Sequence, residues 1–233
     1  MKKTITILLA LVVCTAISVR ADTLAQWTFE TTLPTGQPGA GVALPSIAPE
    51  VGGGAAFGFH AGDSTYSNPV GNGSAESFSS TAWAVGDLYQ FQFSTVGYTG
   101  IAISFDHTSS STGPRDFTLS YSRDGSPFTD FGSYSVLANA APNPTWTSGT
   151  YNSIYTFFYD LSGLVALDNA TTVDIRLANS STVSAGGGTV AAGGTSRIDN
   201  FAVYSPVPVP EPSTTVLAVV GGFLTLASLR RKR

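Results

Sequence analysis

The sequence predicts an all-β protein: a two-sheet antiparallel sandwich of the jelly-roll kind, covering residues 22–205. Three observations lead there. Apolar residues alternate with polar ones at period two along most of the body. The runs are short and are separated by Gly-, Pro- and Ser-rich loops. No segment before the C-terminal tail carries helical periodicity.

The strands can be taken in order. "AQWTFE" and "AAFGFH" read as the first two. "YQFQFST" places Phe91 and Phe93 on one face and Gln90 and Gln92 on the other. "GIAISFDH" does the same with Ile101, Ile103 and Phe105. "DFTLSYS" presents Phe117, Leu119 and Tyr121, and Arg123-Asp124-Gly125 then supplies a hairpin turn into "FTDFGSYSV". "IYTFFYD", "TVDIRLA" and "RIDNFAVY" complete about nine or ten strands. Two stretches, 31–54 and 179–194, are rich in Gly, Pro and small residues and read as flexible surface insertions, or as loops flanking a binding face. The glycines of the second lack the aspartates of calcium-binding nonapeptide repeats.

The ends of the chain have a different character. Lys2 and Lys3 precede an apolar run, and Val19-Arg20-Ala21 offers a signal-peptidase site, so residues 1–21 read as a signal peptide with Asp22 first in the mature chain. The only cysteine, Cys14, falls inside that peptide, which leaves the mature chain without thiol or disulfide chemistry. At the other end, residues 206–212 form a Pro-rich spacer. Residues 213–229 are uncharged and just long enough for a membrane-spanning helix, and 230–233 are a basic cluster that holds that helix's end in the cytoplasm. Setting these ends aside leaves four arginines against fourteen acids, a charge of −10 on the body. Such a surface repels phosphate backbones and excludes a nucleic-acid partner.

Val209-Pro210-Glu211-Pro212-Ser213, the short apolar helix and the closing Arg-Arg-Lys-Arg together resemble the PEP-CTERM sorting tail of bacterial envelope proteins. The resemblance implies that Pro210, Glu211 and Pro212 form the sorting motif recognised by exosortase, a membrane protease. It also implies a product bound for the cell surface or extracellular polysaccharide. "QWTFE" and "SRIDNFAVY" in turn resemble the first and last strands of carbohydrate-binding-module-like jelly rolls. In several such families a first-strand acid and a last-strand Asp share a structural calcium, and Glu30 and Asp199 occupy those positions here.

Catalytic motifs are absent: no Gly-x-Ser-x-Gly, no His-Glu-x-x-His and no phosphate loop. His60 and His107 read as solvated or capped side chains at strand ends. Asp106 and His107, being adjacent on a strand, point to opposite faces and cannot serve one substrate together. Trp146, Tyr151 and Tyr155 are the candidate sugar-stacking residues, with core packing as the other reading of the same pattern. The expectation is therefore an exported, non-catalytic envelope or matrix protein whose sandwich binds polysaccharide. The alternative is an extracellular glycoside hydrolase or other hydrolase whose carboxylate pair converges from distant segments.

Overall fold

The structure is a computed structural model that describes residues 22–205, 207 and 208. The signal peptide, the Pro-Glu-Pro motif, the apolar segment 213–229 and the basic cluster lie outside the described residues. Among the described residues no helix is long and apolar enough to cross a membrane.

The strands in chain order are β1 (Asp22–Trp27), β2 (Val51–Gly52), β3 (Gly54–Phe59), β4 (Tyr66–Ser67), β5 (Phe78–Ser80), β6 (Leu88–Phe93) and β7 (Tyr98–Thr99). They continue with β8 (Ala102–Ser109), β9 (Asp116–Arg123), β10 (Thr129–Ser135), β11 (Thr156–Asp160), β12 (Val173–Asn179), β13 (Ser196–Ser205) and β14 (Val207–Pro208). One sheet has the order β11-β8-β13-β1-β2, with β5 and β4 added beside β13; the other runs β10-β9-β12-β6-β3. Every ladder between these strands is antiparallel. The all-β sandwich expectation holds, and β1 lies beside β13 as a jelly roll requires.

The core lies between the sheets and is aromatic. Phe91 of β6 and Phe201 of β13 stack in parallel at 3.7 Å, and Trp27 meets both edge-on at 5.4 and 5.9 Å. The Trp27 indole N–H donates to the Ile47 carbonyl, which satisfies that buried polar atom. β6 alternates as expected, with Tyr89, Phe91 and Phe93 inward and Leu88, Gln90 and Gln92 on the outer face. The hairpin after β9 forms where the sequence places it. Asp124 and Gly125 take positive φ of 48° and 77°, and the Ser126 amide closes on the Arg123 carbonyl.

Three expectations need correction. The 31–54 stretch is not a loose insertion: Leu44 and Ile47 enter the core, and the Glu50 carboxylate accepts the Thr28 amide at 2.8 Å. The 179–194 stretch is stitched to the loop at 111–115 by main-chain bonds, among them Ala185 N–H to Gly113 and Ala191 N–H to Thr112. Its glycines serve that close approach, since a Cβ on Gly194 would fall 2.1 Å from the Thr112 carbonyl oxygen. The histidines, finally, are not solvated. His60 pairs with Asp87 at 3.0 Å, and His107 bonds Tyr134 and Ser196 at 2.8 and 2.7 Å, all inside the protein.

Candidate functional site

The outer face of the five-stranded sheet carries an open groove with fixed polar groups. Register sets its composition. Phe57, Gln90 and Arg176 form one row across β3, β6 and β12; Ala55, Gln92 and Asp174 form the next; Phe59, Leu88 and Ala178 the third. Period two on each strand puts all nine on the face opposite the core. Together with Ala43, these strands enclose an open cleft of about 400 Å³ lined by Phe57, Phe59, Leu88, Gln90, Gln92 and Arg176.

The polar groups of this face are fixed to one another. Gln90 and Gln92 each donate from Nε2 to Asp174 Oδ1, at 2.8 and 3.0 Å. Arg176 Nε donates to Gln90 Oε1 at 2.7 Å, and the guanidinium carbon stands 3.5 Å from the centre of the Phe128 ring. Long side chains ordinarily lose rotamer freedom on binding. Here the protein's own bonds have already removed it, so a ligand meets a preorganised surface. Amide, carboxylate and guanidinium groups beside two partly exposed phenylalanines suit a ligand with many hydroxyls and apolar C–H faces.

A second polar cluster lies on the other sheet. Asp106 of β8 and Asp199 of β13 are cross-strand partners, 1% and 0% exposed. Asp199 Oδ2 accepts the Asn72 amide at 2.9 Å and the Ser74 hydroxyl at 2.6 Å, while its Oδ1 accepts the Asn200 amide at 2.8 Å. The Asn200 side-chain amide spans the two acids, 2.9 Å from Asp106 Oδ2 and 3.2 Å from Asp199 Oδ2. Thr156 donates to Asp106 Oδ1. Burial pushes the Asp199 carboxyl up to about 7 against these hydrogen bonds, and Asp106 adds to the rise. Asp106 is itself raised by burial. Distant acids thus do converge, but they are sealed from solvent and face donors, so no substrate reaches them. His107, on the opposite face of β8, is held neutral by burial, with a pKa of about 3.

Glu30 and Asp199, the pair expected at a structural calcium, both meet protein donors in this structure. Glu30 is exposed and accepts the Glu76 amide, and each oxygen of Asp199 already accepts N–H or O–H donors. Calcium needs six to eight oxygen ligands. Among the described residues no group of three or more His, Cys, Asp or Glu converges to hold a metal. Gly71 packs so tightly here that a Cβ would fall 2.2 Å from Asp199 Oδ2.

The aromatic trio divides. Trp146 and Tyr155 are 3% and 0% exposed, and their rings meet edge-on at 5.4 Å. The Trp146 indole donates to the Val70 carbonyl and the Tyr155 hydroxyl to Pro144, so both tie loop segments to one another from buried positions. Tyr151, 55% exposed, is the one on the surface; its hydroxyl bonds Thr156 Oγ1. Of the groove residues the sequence placed only Gln90 and Gln92 on a shared face; Phe57, Phe59 and Arg176, and Asp174 beneath the glutamines, were not singled out. The Gln-Phe-Gln alternation of β6 was their only local signal.

No protein-family model matches the chain, and neither does any curated protein. Solved structures similar to it include a cleaved adhesin domain of Lys-gingipain from Porphyromonas gingivalis, 12% identical over 78% of this chain and 98% of that one, TM-score 0.39. A family 29 carbohydrate-binding module from Piromyces equi is 8% identical over 82% and 93%, TM-score 0.33. A carbohydrate-binding module with specific mannan recognition is 12% identical over 80% and 98%, TM-score 0.39. At these values the likenesses decide neither the groove's role nor its ligand.

Proposed function

We propose that the chain is an exported, non-catalytic protein of the cell envelope or extracellular matrix that binds polysaccharide across the groove on its five-stranded sheet. The observation that carries this reading is the ladder Gln90–Asp174–Gln92 with Arg176 beside it, fixed at 2.7–3.0 Å and flanked by Phe57 and Phe59. A sugar chain lying across the strands would rest C–H faces on the phenylalanines and exchange hydroxyl hydrogen bonds with the amides. No acid is among the groove's lining residues, and Asp174, bonded beneath Gln90 and Gln92, is buried, which leaves glycoside hydrolysis without a carboxylate pair. A glycan array with the purified chain tests the reading. Phe57→Ala and Gln92→Ala should each weaken binding about tenfold without moving the melting temperature by more than a few degrees. Full binding by the double variant would place the ligand elsewhere.

Export and sorting belong to the same proposal and rest on the sequence: the signal peptide 1–21 with its peptidase site, and the tail with Pro210, Glu211 and Pro212. If the tail is a sorting signal, an exosortase-type protease removes it and releases the sandwich to the surface or matrix. Glu211→Ala should then leave full-length protein in the membrane fraction while the native chain is shortened. Full-length native chain in the membrane would show a permanent anchor instead.

A further inference from the structure

We propose that the groove selects an acidic polysaccharide, its Arg176 guanidinium pairing with a sugar carboxylate; this rests on the groove reading above. Between Asp22 and Ser205 the chain has four arginines and no lysine. Arg115 and Arg123 are spent on neighbouring carboxylates, Asp116 and Asp124, at 2.9 and 3.2 Å. Arg197 is partly buried, its Nε enclosed and without a partner. Arg176 differs from all three. It lines the groove, and among the described residues no carboxylate stands within ion-pair distance of it.

The bonds on this side chain leave its ligating end open. Nε donates to a neutral amide oxygen, Gln90 Oε1, and Phe128 supports one face of the guanidinium plane. Neither Nη group donates to the protein among the described residues. Two Nη groups held in a fixed plane present the fork that matches a carboxylate with two parallel hydrogen bonds. Partial burial also pulls the guanidinium's pKa down, with Asp174 acting against it, so an arriving anion would relieve a desolvated cation.

Asp174 does not cancel this arrangement. One of its oxygens is committed to both glutamine amides, and its side chain lies on the sheet floor, two residues back on β12 from Arg176. Its place in the neighbouring row sets an acceptor beside the cation. That suits a sugar that carries a carboxylate at one position and hydroxyl donors at the next. The body's charge of −10 opposes an anionic polymer at long range, so recognition must come from this short-range contact rather than from steering.

The test is retention of the purified full chain by polygalacturonate, by the same polymer after its carboxyl groups are reduced to alcohols, and by a neutral mannan. Polygalacturonate should be held best, and reduction of its carboxyls should weaken binding about tenfold to a hundredfold. Arg176→Gln should erase that difference, and Arg176→Lys should restore only part of it, because an ammonium keeps the charge without the fork. Melting temperatures within a few degrees of the native chain would show that both variants fold. Equal retention of the reduced and native polymers, or a preference for mannan, overturns the acidic assignment while leaving the groove reading intact. Retention of none of the three overturns both.

Discussion

Replacing Asp199 with Asn should make the protein lose stability on acidification, relative to the native chain, between about pH 7 and pH 4. The sign follows from where the carboxyl sits. Its folded pKa, about 7, lies above the ordinary carboxylate value of 3.8, so the folded chain holds the proton more tightly than the unfolded one. The stabilisation is complete below pH 4 and is lost as pH rises through 7. One proton corresponds to a slope near 1.4 kcal/mol per pH unit across that window. His107 acts in the opposite sense. Its folded pKa of about 3 lies below the ordinary 6.5, so its contribution is present above 6.5 and is lost as pH falls toward 3. The two slopes oppose each other between pH 4 and 6.5, and the raised carboxyl of Asp106 adds to the first.

Asp199→Asn removes only the Asp199 slope. On acidification from pH 6.5 the variant should lose stability steadily relative to the native chain. A constant offset is expected as well, because the new amide N–H groups face the donors of Asn72 and Ser74. The slope is therefore the readout, measured by urea unfolding at half-unit pH steps. Parallel curves for the two chains would refute the account. Because hydrogen-bond donors fill Asp199, the native profile should be the same in chelator and in millimolar calcium.

This buried pair shows why parts of the molecule were legible in the sequence and others were not. Strand identity is a local property. "YQFQFST" and "DFTLSYS" announce themselves by alternation, and Arg123-Asp124-Gly125 announces its turn because few residues tolerate positive φ. Register is not local. Nothing in "GIAISFDH" or "RIDNFAVY" says that Asp106 will stand opposite Asp199, or that Phe57, Gln90 and Arg176 will form one row. Aromatic residues near loops also mislead. Trp146 and Tyr155 look available in the sequence, but burial of so much apolar surface is favourable wherever the main chain offers their polar atoms a carbonyl. The glycines at 186–188 and 193–194 look like slack, yet at Gly194 the absence of a side chain lets two main chains meet.

Asn200 is the residue whose loss should cost most for its size. Strict alternation along β13 would bury Ile198, Asn200 and Ala202 on one face. One extra residue between Asp199 and Ala202 shifts the phase, so that Ile198, Phe201 and Val203 fill the core and Asp199 turns outward toward Asp106. At this bulge the neighbour of β13 also changes from β5 to β1. Asn200 carries the bulge with φ of 51°, a left-handed conformation that asparagine tolerates better than most side chains. Its amide then donates to both buried carboxyls. Asn200→Ala removes two bonds to buried acids and puts an alanine at unfavourable φ, for an expected loss of about 3 kcal/mol or more. Asn200→Gly relieves the backbone but still strips the donors, so it should recover about 1 kcal/mol of that loss. Equal destabilisation by the two would assign the whole effect to the carboxyls. An Ala variant within about 1 kcal/mol of native would mean that the acids need no bridge, and that shared protonation alone keeps them buried.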